Sequence, residues 1–201
     1  EGLITAKINN QVIDICKVNE VTLKGKHNLE NILCATAMAL AANVKPENIA
    51  SVLKSFKGVR HRMEEVLTHR GVTYINDSKA TNPESAIKAL ESFNQPIILI
   101  AGGRNKGSKF DKFAKVVIKN TQALILLGEA KEEIKSAVMA ENYTNIYEVD
   151  NINEAVKLAS EIAGPGNIVL LSPACASWDM FESYEQRGDI FCELVHLIGE
   201  A

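Results

Sequence analysis

The sequence predicts an α/β fold: a Rossmann-like, mostly parallel sheet with helices on both faces, preceded by a smaller α+β piece. Three observations carry this. From residue 59 onward, short runs that are apolar along their whole length alternate with stretches whose apolar residues recur at three and four. That is the pattern of strands buried on both faces and joined by helices. The exits of several runs carry hydroxyl, ammonium and glycine residues, the chemistry open α/β sheets place at the carboxyl ends of their strands. Before residue 58 the order differs, with strands first and then two helices. The boundary is placed near Gly58, dividing the chain into 1–58 and 59–201.

In the first part, Leu3 to Ile8 and Gln11 to Cys16 read as strands around Asn9-Asn10, a pair suited to a type I′ hairpin turn. Val18 to Leu23 reads as a third extended piece. At Gly25-Lys26-His27-Asn28 the period changes, and Leu29, Ile32, Leu33, Thr36, Ala37 and Leu40 make a helix face up to Asn43. Pro46 opens another helix, which Lys57-Gly58 ends. In the second part Glu65 to Thr68 and Val72 to Ile75 are strands around Arg70-Gly71. Then come a helix from Asn82 to Ser92, a strand from Pro96 to Ala101 and a helix from Phe110 to Lys119. A strand at 123–127, a helix at 131–140, a strand at 146–149, a helix at 152–163 and a strand at 167–171 follow. A helix from Met180 to Ile198 closes the chain.

Composition narrows the function classes. With 46% apolar and 23% charged residues in 201, the chain can build a core, and one domain plus a piece of another is the natural size reading. A net charge of −3 with no basic block argues against nucleic acid. No apolar run approaches a membrane span and no signal-peptide pattern is read. Cys16, Cys34 and Cys192 lie in apolar helical or strand patterns, so reduced, mostly buried thiols in a cytoplasm are expected. Cys175 is read as a packing residue, because no histidine is placed in sequence to activate it. The chain opens without Met inside a strand pattern, which suggests a fragment of something longer.

Three strand exits hold the candidate chemistry: Asn76-Asp77-Ser78-Lys79-Ala80-Thr81, Gly102-Gly103-Arg104-Asn105-Lys106-Gly107, and Ser172-Pro173-Ala174-Cys175-Ala176-Ser177-Trp178-Asp179. A solvated loop could carry any one of these; three on one sheet edge can converge on one ligand. The glycine loop has Walker A spacing but reverses the Lys-Ser order, and it lacks the dinucleotide fingerprint. Gly102 and Gly103 are read as allowing a sharp turn close to a ligand, with Lys106 over it. Asn28 and Asn31 share a helix face and could pair with a purine edge, or Asn28 could simply cap the helix. Arg62 is a candidate phosphate clamp or a plain surface arginine. His27 reads as structural, His69 and His196 as surface positions, and the His and Cys spacing offers no metal cluster.

Six stretches occur in order: Gly-Lys-His-Asn-x-x-Asn (25–31), His-Arg-x-Glu (61–64), Asn-Asp-Ser-Lys-Ala-Thr-Asn (76–82), Gly-Gly-x-x-Lys (102–106), Leu-Ser-Pro-Ala-Cys-Ala-Ser-x-Asp (171–179) and Glu-Gln-Arg-Gly-Asp (185–189). From about Val21 to the C-terminus the chain thereby resembles the bacterial cell-wall Mur ligases. The Lys-Ala-Thr-Asn text points to their D-glutamate-adding branch, since sister ligases and folylpolyglutamate synthase usually show Ala-His-Asn-Pro there. The family's UDP-binding domain, P-loop, carbamylated lysine and magnesium ligands find no match in these residues. The resemblance therefore implies the tail of a central ATP-binding domain (1–58) and a complete D-glutamate-binding domain (59–201).

What the resemblance further implies is ATP-driven amide formation between D-glutamate and UDP-N-acetylmuramoyl-L-alanine through an acyl phosphate, in peptidoglycan precursor synthesis. ATP and Mg2+ are the implied cofactors, with the metal held upstream, and a monomer is expected. By matched position Asn28 and Asn31 would lie at adenine, Asp77 at the ribose and Arg62 at the terminal phosphate. Lys79, Thr81, Lys106, Ser177 and Tyr184 would hold the D-glutamate carboxylates. Tyr184 stands where relatives usually have Phe, and Trp178 where they have a smaller aliphatic residue. The fragment alone is expected to be inactive. A non-catalytic α/β nucleotide- or amino-acid-binding module, or a sister ligase, is the rival reading.

Overall fold

The computed structural model describes residues 2–23 and 26–200, with nothing stated for the side chains of residues 26 and 27. Gly25 and the structural reading of His27 therefore lie outside the described residues. Two compact units divide the chain, Glu1–Gly58 and Val59–Ala201.

In the first unit β1 (Leu3–Ile8) and β2 (Gln11–Lys17) form an antiparallel hairpin. Asn9 and Asn10 turn it at φ values of 48° and 65°, as a type I′ turn requires. The extended piece expected at Val18–Leu23 is instead a 3-10 turn over Val18–Glu20. Its local cause is the Glu20 carboxylate, which accepts from the Lys17 backbone N–H at 2.9 Å and folds the segment back; Lys54 then holds the same carboxylate at 3.1 Å. Helices α1 (Lys26–Ala41) and α2 (Pro46–Ser55) follow, with Pro46 in the first turn where its missing N–H is harmless. Ile4, Ile15, Cys16, Val21, Ile32 and Ile49 make a small core. Leu33, expected on the inner face of α1, is 44% exposed, and Cys34 is exposed where a buried thiol was expected. Both follow from rotation: at about 100° per residue, Ile32 and Thr36 take the inner stripe and position 34 points away.

The second unit is a six-stranded sheet in the order β3-β4-β8-β5-β6-β7. The strands are β3 (Glu64–His69), β4 (Val72–Asn76), β5 (Ile97–Gly102), β6 (Thr121–Leu127), β7 (Ile146–Glu148) and β8 (Ile168–Leu171). Only β3 runs antiparallel, joined to β4 through Arg70-Gly71; the other pairings are parallel. Successive strand residues point to opposite faces. Leu99, Leu124 and Leu170 face α3 (Pro83–Leu90), α4 (Asp111–Asn120) and α5 (Lys131–Met139). Ile98, Ile125 and Val169 face α6 (Ile152–Ile162) and α7 (Tyr184–Gly199). The sheet is thus covered on both sides, as its uninterrupted apolar strands require.

Helix starts follow their caps. Asn82 accepts the Ser85 N–H at 2.8 Å and Pro83 opens α3. The last helix was expected from Met180 but begins at Tyr184. The N–H groups of Met180 and Phe181 turn back to the Ser177 carbonyl, and Ser183, extended at φ −153°, caps the helix through Gln186. Among the described residues no helix is long and apolar enough to cross a membrane.

Candidate anionic-ligand site

The three polar exits leave three neighbouring parallel strands, β4, β8 and β5. Backbone hydrogen bonds fasten them together. The Asp77 N–H donates to Leu171 O at 2.8 Å, and the Gly102 N–H to Pro173 O at 2.9 Å. Arg104 and Ala176 exchange both N–H···O bonds, at 2.9 and 3.0 Å. Glycine is required here by space as well as conformation. A Cβ on Gly102 (φ 122°) would lie 1.9 Å from Leu127 O, and one on Gly103 (φ 127°) 2.2 Å from Ala176 O.

At the β4 exit, Asn76 and Asp77 turn inward. The Asn76 amide donates to His61 Nδ1 at 3.0 Å and to Gly188 O at 3.2 Å, while its oxygen accepts the Ser78 N–H at 3.1 Å. Asp77 accepts from Ser172 Oγ at 2.8 Å and from the Met63 N–H at 3.2 Å. Burial raises its carboxyl to about 6, against the lowering pull of those two bonds and of the Arg62 charge. Ser78 Oγ donates to Tyr184 O at 2.8 Å, which ties this exit to the start of α7.

The residues singled out in the sequence fall into place unevenly. Lys79 is half-buried, with Nζ 2.5 Å from the Tyr184 hydroxyl and 4.3 Å from its ring centroid. Thr81 is half-buried beside it, its N–H donating to Lys79 O at 2.9 Å. Lys106 is exposed on the glycine loop, Nζ lying 5.8 Å from the ring of Trp178, itself 61% exposed. Ser177 is buried, and its hydroxyl has no hydrogen-bond partner among the described residues. Arg62 is exposed. Asn28 (half-buried) and Asn31 (exposed) lie on α1 of the first unit. Cys175 is buried, and burial pushes its thiol up to about 12, so it is no thiolate nucleophile at neutral pH.

Several residues of this site had no role in the sequence reading: Asn76, His61, Ser172, Asp179 and Arg187. Signals for two of them exist. Asn76 extends the alternation Val72, Tyr74 onto the same sheet face, and Arg187 recurs at four with Phe191 and Val195 on the inner stripe of α7. A polar residue on an apolar stripe marks a buried polar group. Asp179 accepts the Glu129 N–H at 3.0 Å, and a Cβ on Gly128 would come 2.4 Å from that same oxygen.

Ammonium groups at Lys79 and Lys106, with hydroxyls and backbone donors between the strands, suit a carboxylate or phosphate ligand. Fold and cluster together define a doubly wound α/β domain with basic and hydroxyl-bearing groups at its strand exits. A family model, the Mur ligase, glutamate ligase domain, matches residues 61–175. The chain belongs to the Mur ligase family.

Among its relatives, the UDP-N-acetylmuramoylalanine--D-glutamate ligase of Pelotomaculum thermopropionicum is 52% identical over 194 residues, covering 96% of this chain and 43% of that protein. The protein of the same name from Desulfitobacterium hafniense is 48% identical over 187 residues, covering 93% and 41%. The chain thus spans less than half the length of these relatives. A solved structure of UDP-N-acetylmuramate-alanine ligase from Thermotoga maritima superposes with a TM-score of 0.66 over 94% of this chain and 40% of that one. At 16% identity it attests the shared fold.

Proposed function

We propose that the chain is the C-terminal part of an ATP-dependent ligase that joins D-glutamate to UDP-N-acetylmuramoyl-L-alanine, in cytoplasmic peptidoglycan precursor synthesis. The observation that carries this reading is the Lys79 ammonium at the β4 exit, flanked by Tyr184, in a chain whose relatives at about half identity bear that activity in their names. An amide does not form from a free carboxylate in water, so the carboxylate is first activated. The L-alanyl carboxylate oxygen attacks the γ-phosphorus of ATP, ADP leaves, and an acyl phosphate forms. The D-glutamate amine then attacks the acyl carbon. The tetrahedral species collapses with loss of phosphate, and the nitrogen gives up its proton. The protein's share is positioning and charge stabilisation.

In this reading residues 1–58 are the tail of the ATP-binding domain, with Asn28 and Asn31 at the adenine edge. Asp77 takes a ribose hydroxyl and Arg62 the terminal phosphate. Lys79, Thr81, Lys106 and Tyr184 hold the D-glutamate carboxylates. Ser177 joins them when its enclosed hydroxyl is uncovered. Among the described residues no group of three or more His, Cys, Asp or Glu suits a metal ion.

The test is steady-state kinetics of the full-length gene product, with phosphate release as readout. Lys79→Ala is expected to raise the KM for D-glutamate about ten- to a hundredfold, the worth of one charge-assisted contact, and to leave the KM for ATP within about twofold. Unchanged D-glutamate dependence with weakened ATP binding would move Lys79 to the nucleotide.

A further inference from the structure

Arg187 is only 2% exposed, and its charge is held against two opposing effects. It sits in the first turn of the 16-residue α7, where the helix end already carries partial positive charge. Burial also pushes its guanidinium down to about 10. Its partners are all neutral. Nε donates to Ser78 Oγ at 2.9 Å, Nη2 to Ser78 O at 2.8 Å, and Nη1 and Nη2 each to Cys175 O at 3.3 Å. Among the described residues no carboxylate lies within ion-pair distance; the charge it feels from further off is that of Asp179.

The position of those acceptors gives the arrangement a direction. Ser78 immediately precedes Lys79 at the β4 exit, and Cys175 stands two residues before Ser177 at the β8 exit. One rigid fork therefore spans the two neighbouring loops that carry candidate ligand groups. A pin needed for stability alone gains nothing from a charge, since a buried ionic group can be replaced by packed apolar residues with little loss. A lone buried cation behind an anion-binding surface, by contrast, acts on any negative ligand through a medium that screens poorly.

We propose that Arg187 is a positioning residue for the anionic amino-acid ligand. Its fork sets the spacing of the Lys79 and Ser177 loops, and its charge, which has no ion-pair partner among the described residues, supplies the fixed positive background against which the ligand carboxylates bind. This rests on the D-glutamate reading above.

The experiment uses the full-length enzyme, with KM for D-glutamate, KM for ATP and thermal unfolding measured for wild type, Arg187→Gln and Arg187→Lys. Arg187→Gln is expected to raise the D-glutamate KM at least about tenfold while the ATP KM stays within about twofold. Arg187→Lys keeps the charge near neutral pH and should stay within about threefold of wild type there. As pH rises towards about 9, its D-glutamate KM relative to wild type should climb, because a buried lysine gives up its proton far more readily than arginine. A merely structural pin has no such dependence. A pH-flat ratio for Arg187→Lys, or equal rises in both KM values together with a lower unfolding temperature, would overturn the proposal. Should Arg187→Gln fail to fold, the pH dependence of Arg187→Lys decides alone. A wild-type enzyme indifferent to D-glutamate would instead defeat the functional reading, and the proposal with it.

Discussion

The Asn76 side-chain amide nitrogen faces His61 Nδ1 at 3.0 Å in a space closed to solvent, a contact that fits the histidine tautomer with Nδ1 bare. The Asn76 oxygen is committed to the Ser78 N–H and its NH2 to Gly188 O, so the amide cannot be reversed without losing both. His61 Nδ1 is placed to accept, alongside Glu64 Oε2, Gly188 O and Cys192 Sγ around the same NH2, and Nε2 faces Asp189 Oδ1 at 3.8 Å. Nitrogen chemical shifts of His61 are expected to report the Nε2–H form. Asn76→Ala strands the buried Ser78 N–H and removes the amide donor that faces His61 Nδ1, and should lower the unfolding free energy by about 1–3 kcal/mol in denaturant titration. A loss below about 0.5 kcal/mol would mean that water takes over these bonds.

Asp77 gives a pH signature of defined sign. Folded, it keeps its proton to about 6, against 3.8 for the ordinary group. Between these values the folded chain binds more protons than the unfolded one, so this group's contribution to stability falls as pH rises through that window. The full span corresponds to about 3 kcal/mol lost by neutral pH. Asp77→Asn retains an acceptor for Ser172 or Met63 and removes the ionisation. It should flatten the stability profile between about pH 4 and 6 relative to wild type. Parallel profiles for the two proteins would show that Asp77 titrates normally.

The glycine loop separates conformational from steric need. Gly103 and Gly107 both adopt positive φ, but a Cβ at Gly103 meets Ala176 O at 2.2 Å and one at Gly107 meets nothing within 4 Å. Gly107→Ala should cost about 1 kcal/mol, the backbone penalty alone. Gly103→Ala must also push apart the β5 and β8 exits, at several kcal/mol or more. Urea titrations of both variants check this; equal losses would show that the exits yield freely.

Tyr184 touches Lys79 in two ways, and the two can be parted. Tyr184→Phe deletes the hydroxyl contact at 2.5 Å but keeps the ring beneath the ammonium. On the D-glutamate reading, it should change the KM of the full-length enzyme for that substrate by about fivefold or less, one ordinary hydrogen bond. Tyr184→Ala removes the ring as well and should exceed that clearly. Indistinguishable kinetics for the two variants would assign no role to the ring.

How much of this was legible beforehand depends on how far apart the determining residues lie. Local sequence determined the apolar strands, the Asn9-Asn10 turn, the Asn82-Pro83 helix start and the polar strand exits, because each rests on neighbours within a few positions. Where a local competitor intervened, periodicity misled: Glu20 closed Val18–Glu20 into a turn, and Ser183 delayed α7 to Tyr184. The tertiary structure alone decided that Arg187 reaches Ser78 and Cys175 with no ion-pair partner among the described residues, that Asn76 meets His61 and Gly188, and that the Ser177 hydroxyl is enclosed. Ser78 and Arg187 are 109 residues apart, and Asn76 and Gly188 are 112. Contacts of that span exist only once β4 and β8 lie side by side with α7 across them, since burial and charge are properties of the assembled neighbourhood and not of the letters that enter it.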